Sequence, residues 1–218
     1  MGLGRLADEV FEAVLFDMDG TLIDSTPAVV RAWTAWAGEM GLTAEEIGRH
    51  HGVPSAGVVR AVLPPERQQA AITRINELEL ADVADIVVLP GAAEALKALA
   101  DAKNAIATSC TIPLARARIG AAGLVPPSTL VTADDVTHGK PDPEPFLVAA
   151  EKLGADPTHC LVVEDAPMGL QAAHGAGCFT LAVVTTTPRE ALDADAVVDD
   201  LSAVEFVPGA DGIRVRLR

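Results

Sequence analysis

A four-residue apolar run, Ala13-Val14-Leu15-Phe16, leads straight into Asp17-Met18-Asp19-Gly20-Thr21. A short apolar run between charged residues reads as a buried strand of a parallel sheet. Two carboxylates two residues apart, released at its end, are poor core material, because buried acids are costly unless paired or bound to metal. Gly20 lets the chain turn sharply there. The segment therefore sets two acids at the carboxyl end of a strand, where open α/β sheets place their ligands.

The same alternation continues downstream. Strand-like runs fall at Ala105–Thr108, Thr129–Thr132, Cys160–Val163 and Thr180–Val184, with weaker signals at Ala196–Val198 and Ile213–Leu217. Helical stretches at Ile112–Ala122, Glu144–Leu153 and Gly169–Gly175 separate them. Strand and helix in alternation predict an α/β fold, a Rossmann-like parallel sheet flanked by helices. The last strand is left open between the sheet's edge and another chain. From Ser25 to Leu89 the pattern changes. Ser25-Thr26-Pro27 reads as an N-cap with proline in the first turn, Val29, Trp33, Trp36, Ala37 and Met40 recur at helical spacing, and Gly41 ends the helix. Further helical stretches follow at Ala44–Arg49, Ala56–Leu63 and Glu66–Ala84, with no convincing strand. The expected organisation is a core of residues 1–24 and 88–218 with an all-helical insert at 25–87, hinged near Leu22–Ser25 and Val87–Gly91. Asp24 is expected to hold the hinge or a nearby amide and to take no part in catalysis.

Composition narrows the partners. With 218 residues, half of them apolar, the chain can bury a sizeable core, and 16 basic against 31 acidic residues give −15. That charge argues against nucleic acid or an anionic membrane surface as partner. No apolar run approaches the roughly 20 residues of a membrane span, and Met1 to Glu12 does not read as a secretory signal. Cys110, Cys160 and Cys178 lack metal-ligand spacing and read as buried free thiols, which suits a reducing cytoplasm. A monomer or weak homodimer is expected.

Four groups converge where the strands end: Asp17 and Asp19, Thr108-Ser109, Gly139-Lys140-Pro141, and Glu164-Asp165. Taken singly, each has an ordinary structural reading; Asp165 before Ala166-Pro167, for one, fits a helix cap. Together they suit phosphoryl transfer, which needs fixed positive groups around spreading negative charge. Lys140 can meet phosphate oxygens, Thr108 can donate to one, and Asp17, Glu164 and Asp165 offer oxygen ligands for Mg²⁺. Asp17, nearer the strand, is the expected nucleophile. Asp19, past the turn, is the expected acid and base.

In this order the motifs resemble those of the haloacid dehalogenase superfamily, and the insert resembles that superfamily's helical type 1 cap. Ala107-Thr108-Ser109-Cys110-Thr111, Gly139 to Phe146 and Val163 to Gly169 are especially similar to small sugar and polyol phosphatases of the glycerol-1-phosphatase and 2-deoxyglucose-6-phosphatase group. The resemblance implies a Mg²⁺-dependent phosphatase for a small sugar or polyol phosphate monoester, working through an aspartyl phosphate. It implies Asp17, the Asp19 carbonyl and Asp165 as metal ligands with Glu164 nearby, Thr108 and Ser109 on phosphate, Lys140 bridging nucleophile and phosphate, and backbone amides around Gly20 completing the anion site. Dehalogenases lack an acid at the position of Asp19, since a halide leaves without a proton. A β-phosphoglucomutase-like mutase shares all four motifs and is the alternative; those mutases carry a histidine near the place of Val29. In the insert, His51 of His50-His51-Gly52 is the expected contact to a substrate hydroxyl, although Val53-Pro54 stands where relatives often place an arginine.

Overall fold

The computed structural model describes residues 2–43, 46 and 55–218. Along the chain run β1 (Ala13–Phe16), β2 (Ile23–Asp24), α1 (Thr26–Met40), α2 (Ser55–Val62), α3 (Pro65–Ala81), β3 (Val87–Val88), α4 (Ala92–Ala98), β4 (Asn104–Ala107), α5 (Ile112–Ala122), β5 (Thr129–Val131), α6 (Glu144–Leu153), β6 (Cys160–Glu164), α7 (Pro167–Gly175), β7 (Phe179–Val183), β8 (Ala196–Val198), β9 (Val204–Gly209) and β10 (Gly212–Leu217). Among the described residues no helix is long and apolar enough to cross a membrane.

Six strands form one parallel sheet in the order β5-β4-β1-β6-β7-β8. β1 is central, with Phe16 level with Ile106 of β4 and Val163 of β6. All four of its side chains are buried, which is why its pattern is a continuous apolar run. Alternate residues serve two layers. Ala13 and Leu15 pack with Phe146, Ala149, Ala172 and Ala173 of α6 and α7. Val14 and Phe16 pack with Leu96, Leu114 and Ile119 of α4 and α5, and with Phe206 and Ile213. The chain fills β4 and β5 on one side of β1, then crosses to β6 on the other. This order makes the carboxyl ends of β1 and β6 the switch point where such sheets bind ligands.

The helices of the insert have their own core of Ala32, Trp36, Val59, Leu63, Ala71 and Ile75. Trp36 is fully buried and its indole N–H donates to the Ala71 carbonyl at 2.9 Å, so the helical periodicity that marked it reports packing. Three expectations need correction. The segment before Leu89 contains a strand after all: β3 pairs antiparallel with β2, tying the two connections of the insert side by side. Ser25 occupies the N-cap position of α1 without a side-chain cap, because its hydroxyl is spent on Asp19; Asp24 accepts the Thr26 amide at 3.0 Å instead. The final strand does not join the six-stranded sheet. It forms an antiparallel hairpin with β9 and bridges Phe11 through Ile213. Residues 44, 45 and 47–54, which include His51 and all of the expected helix Ala44–Arg49 except residue 46, lie outside the described residues.

Candidate active site

The ladder between β1 and β6 continues one residue past the strand, where the Asp17 amide donates to the Val163 carbonyl at 2.9 Å. Asp17 is thereby fixed to the sheet's edge. The next turn is closed by Met18, whose carbonyl accepts the Leu22 amide at 2.9 Å. Gly20 has φ +88° and packs under Asp165: a Cβ there would lie 2.3 Å from Asp165 Oδ2. Both the backbone conformation and the space demand glycine.

Lys140 reaches into this edge from the loop before α6. Its ammonium donates to Asp17 Oδ1 and to Glu164 Oε1, the latter at 2.7 Å. Glu164 Oε2 accepts the Asp165 and Ala166 amides, both at 2.9 Å. Asp165 accepts from the Thr21 hydroxyl at 3.2 Å and from the Thr186 hydroxyl. Asp165 is not the cap of α7, whose N-cap residue is Ala166. Thr186 and its neighbour Thr185, which donates to the Gly20 carbonyl, were not foreseen. They follow β7, and hydroxyls in a loop after a strand are the only signal the sequence carries for them.

The carboxylates of Asp17, Glu164 and Asp165 lie close enough together to share one ion, and all three are buried. Burial, opposed by Lys140, pushes the Asp17 carboxyl well above the usual range. Burial, and after it the Glu164 charge, push Asp165 up to about 7. Burial disfavours the Lys140 ammonium, but the charges of Asp17 and Glu164 outweigh it and raise its pKa. Ionised together, the three buried carboxylates outnumber the one ammonium, an excess that a divalent cation would balance. A donor set made only of oxygens fits Mg²⁺.

Asp19 belongs to a neighbouring group. Its Oδ1 accepts from the Ser25 hydroxyl at 2.6 Å and from Arg118 Nη1 at 2.8 Å, and its Oδ2 accepts from the Cys110 thiol at 3.1 Å. Arg118 Nη2 donates onward to Glu79 Oε1 at 3.1 Å, and Glu79 Oε2 accepts from the Ser55 hydroxyl at 3.1 Å. Burial pushes the Glu79 carboxyl up, against the pull of Arg118. Thr108 is buried and accepts the Cys110 amide at 3.1 Å, which links the end of β4 to Asp19; Ser109 beside it is partly exposed.

The buried charged side chains among the described residues are Asp17, Glu79, Arg118, Lys140, Glu164 and Asp165, all in these two groups. Sequence reasoning missed Arg118 and Glu79. A signal was present: Arg118 falls on the buried face of α5 with Leu114, Ala115 and Ile119, and Glu79 on that of α3 with Ala71 and Ile75. Opposite charges set on two apolar helix faces need each other.

Fold and edge together define an α/β enzyme with a buried acidic centre at the sheet's switch point. Residues 11–177 match the model of the haloacid dehalogenase-like hydrolases, and the chain belongs to that family. It is 40% identical to hexitol phosphatase A of Escherichia coli over 206 residues, covering 91% of this chain and 95% of the relative. It is 33% identical to glycerol-1-phosphate phosphohydrolase 2 of Saccharomyces cerevisiae, over 80% of this chain and 75% of that one. The crystal structure of a hydrolase from Pseudomonas syringae superposes with a TM-score of 0.81 at 29% identity, covering 88% of this chain and 94% of that one.

Proposed function

We propose that this hydrolase of phosphate monoesters acts on a small sugar or polyol phosphate, depends on Mg²⁺ and works through a phosphorylated Asp17. The observation that carries the proposal is the buried set of Asp17, Lys140, Glu164 and Asp165 at the switch point. The names of the relatives in Escherichia coli and Saccharomyces cerevisiae support the substrate class.

In the proposed mechanism an Asp17 oxygen attacks phosphorus as the bond to the leaving oxygen breaks. Asp19 gives that oxygen its proton, so the product leaves as an alcohol. Asp19 then takes a proton from water as the water attacks the phosphorus of the aspartyl phosphate, releasing inorganic phosphate and restoring Asp17. Lys140 keeps a positive charge against Asp17 and the incoming phosphoryl group. Thr108, Ser109 and the amides around Gly20 donate to phosphoryl oxygens. Asp17, the Asp19 carbonyl and Asp165 would hold Mg²⁺, with Glu164 beside them. When bound, the ion supplies positive charge to the buried acids and the phosphoryl oxygens.

Residues 1–24 and 88–218 act in this reading as the catalytic core. Residues 25–87 act as a cap that excludes water and, through His51 among others, selects the alcohol. The buried free thiols are in keeping with a reducing cytoplasm.

The test is phosphate release from hexitol 6-phosphates, glycerol 1-phosphate and hexose phosphates, with Mg²⁺ and with chelator. Metal-dependent release from one or two of these is expected. Migration of phosphate from C1 to C6 of glucose without release would make the chain a mutase.

A further inference from the structure

We propose that Arg118 is the positioning residue for the Asp19 carboxylate and that Glu79, reaching across from the helical insert, holds Arg118 in place. This rests on the reading of Asp19 as acid and base. Three donors meet the Asp19 carboxylate, and they differ in kind. Ser25 lies six residues on in the same segment. Cys110 offers a thiol, a weak donor. Arg118 alone carries charge, comes from a separate helix and is buried: its side chain is 5% exposed, against 25% for Asp19.

The contacts also select an oxygen. A carboxylate offers about four acceptor positions, two on each oxygen. Ser25 and Arg118 take both positions of Oδ1, and Cys110 takes one on Oδ2. Among the described residues the open position is on Oδ2, so Oδ2 is the oxygen that exchanges the proton with the leaving group and the water.

Arg118 is not free to turn, because Glu79 holds its other amino group and Ser55 holds Glu79. These two anchors sit on α3 and α2, while Arg118 and Cys110 belong to the sheet-flanking part of the chain. The aim of Asp19 therefore depends on the insert being docked as it is here. The arrangement is poorly explained as a stabilising device. Buried ion pairs seldom stabilise more than apolar residues of the same volume, and Arg118 Nε is buried with no hydrogen-bond partner among the described residues.

Leaving-group dependence tests this. The variants are Glu79→Gln, which keeps shape and hydrogen bonding, and the double variant Arg118→Met/Glu79→Met, which removes both charges of the Arg118–Glu79 pair and leaves Asp19 without its cation. Each is compared with wild type on sorbitol 6-phosphate and glycerol 1-phosphate, whose alkoxides need a proton, and on p-nitrophenyl phosphate, whose phenolate does not. For the double variant, kcat on the alkyl phosphate falls about 100-fold or more, within the range of acid–base contributions, with KM nearly unchanged. The rapid burst of p-nitrophenolate persists, because forming the phosphoenzyme from that ester needs no acid. Glu79→Gln falls in the same direction and less far. Alkyl-phosphate turnover that stays near wild type in the double variant would overturn the inference, as would loss of the burst in parallel with turnover. A wild-type enzyme inactive on all three esters would instead overturn the proposed function.

Discussion

The Glu164 carboxylate occupies the space that any side chain on Gly169 would need. A Cβ on Gly169 would lie 1.7 Å from Glu164 Oε1, the oxygen that receives Lys140. The first turn of α7 is thus shaped by the acid it carries, and a methyl group there must displace Glu164 or the helix. Gly169→Ala is expected to destabilise by about 1–3 kcal/mol and to lower activity by disturbing Lys140. Gly38, exposed in the last turn of α1 with nothing within 4 Å among the described residues, is the control. Gly38→Ala should stabilise by about 0.5–1 kcal/mol with activity unchanged. Thermal unfolding and steady-state rates of the two variants check both.

Lys140 is the one cation touching Asp17 and Glu164 among the described residues. Lys140→Met leaves three buried carboxylates together, and breaking a buried pair in this way costs about 3–5 kcal/mol. Mg²⁺ should recover part of that loss, so the melting temperature of Lys140→Met should rise more with added Mg²⁺ than that of the wild type. An equal rise in both would mean that the ion does not bind against these acids.

Cys160 and Cys178 are buried, and burial pushes both thiols up to about 12 from an ordinary value of 9.0. At pH 8 the native protein should react slowly with a disulfide reagent, and the unfolded chain quickly at all three cysteines. The sign for stability follows. Between 9.0 and about 12 the unfolded chain has lost thiol protons that the native state still holds. The contribution of these thiols is therefore complete below pH 9 and declines as pH rises through that window. Denaturant titrations at pH 8 and pH 10 should show lower stability at pH 10, with Cys160→Ala/Cys178→Ala reducing the difference.

Much of this molecule was legible in its sequence because parallel strands buried on both faces leave continuous apolar runs. β1 and β8 match the expected bounds, and β4 to β7 lie within a residue or so of theirs. The meeting of Asp17, Lys140, Glu164 and Asp165 followed from one rule, that parallel strands point their carboxyl ends the same way. What escaped had no period to read. β2 and β3 are two residues each, and β9, Val-Glu-Phe-Val-Pro-Gly, ends in a proline and a glycine that weaken a strand signal. Arg118 and Glu79 escaped for another reason. Each lies among apolar neighbours on its own helix, and only the packing of α3 on α5 shows that they are one pair.

The central claim, that Asp17 carries the phosphoryl group, is tested most directly by trapping. Enzyme turning over a hydrolysed sugar or polyol phosphate is quenched, reduced with borohydride and digested, and its peptides are sequenced by mass spectrometry. An acyl phosphate is reduced to the alcohol, so homoserine is expected at position 17, dependent on substrate and Mg²⁺ and absent from Asp17→Asn. Phosphate release with Asp17 unmodified, or with the reduced residue elsewhere in the chain, would contradict the account.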